Sequence, residues 1–209
     1  FAMYFQCTLV LQVIMKTLLT LFVLFFSSSV VADDISDFKI EGMSVGDSLL
    51  DFFSEQDIKQ RLVDFYPHIE SKKYMTVAFE DKPFKNFKIV DVIVLNNDLN
   101  YEIFGISGVT YFGDEIIDID DCYNKQTSFA DKLENNFTNF NKYGPTKTYY
   151  PLKFDPTGKS SYTDIYYDLS KDYIAGVTCI DYDESLPSGH VDFFSVSIRH
   201  KDFDIWMGN

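Results

Sequence analysis

Basic residues are scarce in this chain. Eighteen lysines and arginines stand against 32 aspartates and glutamates, for a formal net charge of −14. A surface this acidic repels phosphate backbones and anionic lipid, which argues against nucleic acid as a partner. Histidine is scarcer still. His68, His190 and His200 are scattered and lack metal-ligand spacing, so they read as surface or loop residues. Cysteine occurs three times, as Cys7, Cys122 and Cys179. Neither Cys122 nor Cys179 has a histidine near it in sequence or a surrounding motif, which leaves no case for a catalytic thiol. No Leu-x-x-Cys pattern precedes Asp33, so a lipid anchor is not expected there.

The clearest positive feature lies early. Met15-Lys16 makes a short basic start, and Thr17 to Phe26 is an apolar run of signal-core length. Ser27 to Ser29 breaks the run, and Val30-Val31-Ala32 supplies small residues before Asp33. We read residues 15–32 as a secretory signal peptide cleaved after Ala32, and residues 1–14 as an upstream, non-native extension. The alternative is a retained membrane anchor over residues 4–31, and only in that case is a membrane expected as a partner. Lys16 would then sit mid-span at a cost of about 2.5–3.5 kcal/mol. Export implies a periplasmic or secreted location, where Cys122 and Cys179 are expected to pair.

Beyond residue 32, turn chemistry divides the chain into short elements. Ser44 with Asp47, and Ser54 with Asp57, are capping patterns, predicting helices from Val45 and from residue 55 to about 64. Alternating β-rich runs follow at 73–80, 87–95 and 101–112. Residues 121–140 read as helical, with Cys122, Phe129, Leu133, Phe137 and Phe140 as an apolar stripe ended by Gly144-Pro145. Strands are then expected at 147–154, 162–169, 173–182 and 191–200, and Phe203 to Trp206 closes the chain. Short turns between strands imply antiparallel meanders, and helices placed before them imply packing on one sheet face. The fold class is therefore α+β. The order of helix, strands, helix, strands suggests two tandem halves, 33–113 and 114–209, forming one compact unit.

Several motifs allow both a chemical and a purely structural reading. Gly42-Met43-Ser44-Val45-Gly46 is a literal G-x-S-x-G, which would make Ser44 a nucleophile, but alternating β-α units are lacking and Ser44 reads as a helix cap. Gly158-Lys159-Ser160 looks like the end of a phosphate loop, yet Lys153 stands where its first glycine belongs. Asp118, Asp120 and Asp121 are candidate cation ligands, although calcium-loop spacing fails at Tyr123 and Phe129 and the start of a helix explains them. Asp181, Asp183 and Glu184 form a weaker cluster of the same kind. Tyr162 and Tyr166 should share one face of a strand, with Ile165, Tyr167 and Leu169 on the other. The pair is a candidate open-face binding platform.

Residues 34–54, from Asp34-Ile35-Ser36 to Phe53-Ser54, resemble the opening of an uncharacterised secreted protein family from AT-rich marine bacteria, and Asp155-Pro156-Thr157-Gly158-Lys159-Ser160 resembles it too. That resemblance implies no activity. The turn Gly42-Met43-Ser44 is also similar to one in β-lactamase inhibitor proteins and small outer-membrane assembly lipoproteins, although Asp121-Cys122-Tyr123 takes its place in the second half. This second likeness implies a helix pair followed by an antiparallel sheet, and a protein-binding role. The expectation is a non-catalytic binding module, without cofactor, acting on another periplasmic or envelope protein. The alternative is a small hydrolase or other enzyme using Ser44 or an acidic cation site.

Overall fold

The computed structural model describes residues 35–63, 71–113, 116–169, 172–187 and 190–208. The expected leader and extension, Cys7 and His68 lie outside the described residues. Asp33–Asn209 is a compact unit with its own core.

The described residues form eight strands: β1 (Leu62–Val63), β2 (Tyr74–Phe79), β3 (Ile89–Leu95), β4 (Ile103–Tyr111), β5 (Asn141–Tyr149), β6 (Ser161–Asp168), β7 (Tyr173–Asp181) and β8 (Phe193–His200), of which all but the short β1 and the exposed β5 alternate largely between buried and more exposed residues. They pair antiparallel in one sheet of order β1-β2-β3-β4-β8-β7-β6-β5. Among the described residues three α-helices accompany the sheet: α1 (Glu55–Gln60), α2 (Ile119–Asn136) and α3 (Lys201–Met207). The fold is α+β.

One sheet face is sealed. Val77, Val92, Ile106, Ile198, Ala175 and Tyr167 lie side by side across six strands, each at most 1% exposed. α2 covers the second half of that face with Cys122, Gln126, Ala130 and Leu133, spaced to share one side of a helix. Gln126 is polar but satisfied: its Nε2 donates to Thr163 O (2.7 Å) and Val177 O (2.8 Å). Met43, Leu49 and Ile58 join the same core from the first half. Burying each such aliphatic side chain is worth about 1.5–3 kcal/mol.

Gly108 stands on this face opposite Val90 and Val196, and the Phe87 ring fills the space a side chain would take. A Cβ there would lie 2.5 Å from that ring. Gly108→Ala must push Phe87 out of place, and chemical denaturation is expected to show a loss of about 1–2 kcal/mol.

Four expectations are corrected. No helix starts at Val45, because Gly46 turns at φ +90° and bonds through its N–H to Ile103 O; a single 3-10 turn, Leu49–Asp51, follows under a Ser48 cap. α1 stops at Gln60, and Leu62 enters the sheet instead. α2 ends at Asn136, and Gly144-Pro145, read as a helix stop, lies inside β5. Proline is tolerated there because β5 is the edge strand and its ladder shifts register between Tyr143 and Thr146. Helices on one face describes α2 but not α3. Asp204 of α3 grips Arg199, whose register places it on the opposite face.

Candidate functional site: the open sheet face

The second sheet face is half-exposed over most of its breadth. Its central row runs Ala78, Asp91, Ser107, Ser197, Gly176, Tyr166, Tyr143, each residue opposite the next across neighbouring strands. The next row runs Val109, Ser195, Thr178, Asp164. Small side chains thus make a shallow floor in mid-sheet. α3 walls one end, where a cavity of about 280 Å³ lies between Ile93, Ser107, Ser197, Arg199 and Phe203. An aromatic row, Tyr111, Phe193 and Tyr162, with Ile180 among them, closes the other end.

The α3 wall is held by charge and by cap chemistry. Arg199 Nε and Nη2 donate to the two Asp204 oxygens at 2.7 and 3.2 Å, and Nη1 donates to Ser197 Oγ at 3.1 Å. His200 caps the helix, its Nδ1 accepting from Asp202 N at 3.1 Å, and Trp206 Nε1 donates to Ser71 O at 2.7 Å. Gly105 lets the backbone pass beneath Arg199, since a Cβ there would meet Arg199 Cβ at 2.7 Å.

Electrostatically the floor is acidic. Burial pushes the Asp91 carboxyl up to about 6, and the nearby Glu80 charge adds to the rise. Burial also raises Tyr111, helped by Glu80 and Asp91. Burial raises Asp164 as well, opposed by a hydrogen bond from Thr178 Oγ1 (2.6 Å) and by Arg199. At the tyrosine end, the Tyr166 ring lies 6.0 Å from Tyr143, while Tyr162 packs edge-on against Tyr150 at 5.3 Å.

Tyr162 and Tyr166 do occupy this face, Tyr166 exposed and Tyr162 half-buried, with Ile165, Tyr167 and Leu169 buried on the other side. Cys122 and Cys179 are bonded, with sulfurs 2.04 Å apart. Asp118 is the N-cap of α2 and accepts from Asp121 N at 2.9 Å, while Asp121 accepts from Ile117 N at 3.2 Å. Asp120 lies in the same first turn. No group of three or more metal-ligating side chains occurs among the described residues.

Ser44 caps no helix. It is fully buried, and its Oγ donates to Phe38 O (2.9 Å) and Ile35 O (3.1 Å), which fixes the N-terminal turn. Ser44→Ala deprives the buried Phe38 O of its hydroxyl donor, while Ile35 O keeps the Phe38 N–H at 3.3 Å. Thermal unfolding is expected to show a loss of about 1–2 kcal/mol. In the Gly158-Lys159-Ser160 turn, the N–H groups of Lys159 and Ser160 are taken by Asp155 Oδ2 at 3.0 and 2.7 Å. Burial of Asp155 favours its neutral form, but hydrogen bonds from Thr157 and Ser160 prevail and hold its carboxyl well below the usual range. A built-in carboxylate fills the position a phosphate would need.

Asp91, Ser107, Ser195, Ser197, Gly176 and Arg199 were not singled out from sequence. Each stands next to a buried apolar residue that points to the other face of its strand, so the alternation carries the signal, but only strand order brings them together.

No protein-family model, curated protein or solved structure matches this chain.

Proposed function

We propose that this protein is a non-catalytic binding module that engages a protein partner through its open sheet face. The observation that carries the reading is the mid-sheet floor of Ala78, Ser107, Ser197 and Gly176, left open beside the exposed Tyr166 and Tyr143. Small residues admit a protruding loop close to the backbone, and tyrosines supply broad, amphipathic contact at low entropic cost. Asp91 has no cationic partner among the described residues, so a lysine or arginine of the partner suits it. Ser44, the residue an enzyme would use, is enclosed by its own carbonyl contacts.

The disulfide is compatible with a secreted or periplasmic setting. Among the described residues no helix is long and apolar enough to cross a membrane. Strand order also supports a duplication, since two four-strand meanders meet at β4 and β8 with β1 and β5 at the outer edges. The resemblance to β-lactamase inhibitor proteins supports the same layout by analogy.

The test is affinity capture from envelope extract with three baits: the wild-type unit, a Ser107→Arg/Ser197→Arg variant that fills the floor, and Lys125→Glu on α2 behind the sheet. A partner held by the wild type and by Lys125→Glu, but lost with the floor variant, supports the reading. Equal capture by all three removes it.

A further inference from the structure

The edge strand β5 and the turn after it invert the charge of the molecule. Residues 141–154 carry three lysines, Lys142, Lys147 and Lys153, and no acid, within a chain of net charge −14. The same stretch concentrates exposed apolar surface: Tyr149 is 58% exposed, Leu152 70% and Phe154 63%. Scattered apolar residues need no explanation, but three in six positions at one tip do.

The tip is built, not loose. Phe154 N and Asp155 N both donate to Pro151 O, at 2.8 and 3.1 Å, and Tyr150 N donates to Ser160 O. Asp155 ties the returning strand by accepting from Thr157, Lys159 and Ser160. Leu152 and Phe154 are therefore pushed outward by a fixed turn. Lys147 and Lys153 have no carboxylate partner among the described residues. Each instead lies over a ring, Lys147 over Tyr149 at 5.6 Å and Lys153 over Phe154 at 4.5 Å. Lys142 is held by Glu134 and Lys159 by Asp183.

We propose that this tip is a peripheral membrane contact, in which Leu152 and Phe154 enter the interface of an anionic lipid bilayer while Lys147 and Lys153 meet its headgroups. Aromatic rings bearing long cationic stems suit the boundary between acyl chains and water. Net charge does not forbid this. At physiological salt the Debye length is about 8 Å, so the bilayer responds to the local patch. Asp181 ends β7, two strands inward from the edge, and Asp183 is paired with Lys159. Addition of a partner strand fits the edge poorly, because Pro145 has no N–H to offer and the ladder is already shifted there. The contact is independent of any leader.

The test uses the unit Asp33–Asn209 with its disulfide formed, sedimented with phosphatidylcholine vesicles containing about 30% phosphatidylglycerol. The wild type is expected to pellet with these vesicles. Leu152→Ser/Phe154→Ser and Lys147→Glu/Lys153→Glu should each weaken binding by about tenfold or more. The melting temperature should hardly move, because all four side chains are exposed. Wild type left in the supernatant overturns the proposal, as does equal pelleting of both variants. Retention on single-stranded DNA without retention on vesicles also overturns it and makes the tip a nucleic-acid contact.

Discussion

Alanine at both Cys122 and Cys179 is expected to lower the unfolding free energy by about 4 kcal/mol and the melting temperature by roughly 8–16 °C. The bond closes a loop of 57 residues, which sets the chain-entropy gain. Locally the bond ties the first turn of α2 to β7, beside the Gln126 hydrogen bonds and the Phe129–Phe194 ring contact that also hold α2. Its buried face offers Cys122, Ala130 and Leu133, and its fourth buried residue is the polar Gln126. Both cysteines are at most 1% exposed, so their truncation also opens space in the core. Urea unfolding of the double variant, compared with wild type with and without reductant, checks this. The reduced wild type should track the variant, and a difference below about 1 kcal/mol between oxidised wild type and variant would sink the claim.

Asp91→Asn is expected to stabilise the protein by about 2–3 kcal/mol at pH 7. The sign follows from the direction of the shift. Asp91 titrates at about 6 when folded, above its unfolded value, so the native state holds the proton more tightly. Its contribution is fully present below about pH 4 and is lost as pH rises through 6. The wild type should therefore lose melting temperature between pH 4 and 7 relative to Asp91→Asn, and the two should converge at pH 4. Curves that stay parallel across that range would show that Asp91 is solvated normally. A half-buried anion that weakens its own fold makes sense at a binding face, where a cation from a partner can relieve it.

The alternation of apolar residues made the sheet legible. Ala175, Val177 and Cys179 alternate along β7 and lie on the covered face. Tyr162 and Tyr166 lie on the other, as expected, and Cys122 and Cys179 are bonded, as the expectation of export implied. What failed was local chemistry overridden by tertiary contacts. Ser44 with Asp47 has the pattern of a helix start, and Ser44 N does donate to Asp47 Oδ2 at 2.9 Å, but Gly46 diverts the backbone to meet β4. Gly144-Pro145 has the pattern of a helix stop, but an edge strand tolerates it. Gln126 is illegible as a core residue in sequence, because a polar residue on a helix reads as solvent-facing unless strand carbonyls lie beneath it, as Thr163 O and Val177 O do. The site was least legible, because Asp91, Ser107, Ser197 and Gly176 lie far apart in sequence and become neighbours only through the β4–β8 pairing.

That pairing has a consequence for biogenesis. The strand that joins the two meanders is the last of the eight to be synthesised. Until Phe193 to His200 emerges from the ribosome, β4 and β7 each present a naked hydrogen-bonding border. The polypeptide therefore cannot lock into its final form before β8 is made, and a chain truncated ahead of β8 would leave two unjoined half-sheets prone to sticking to other chains.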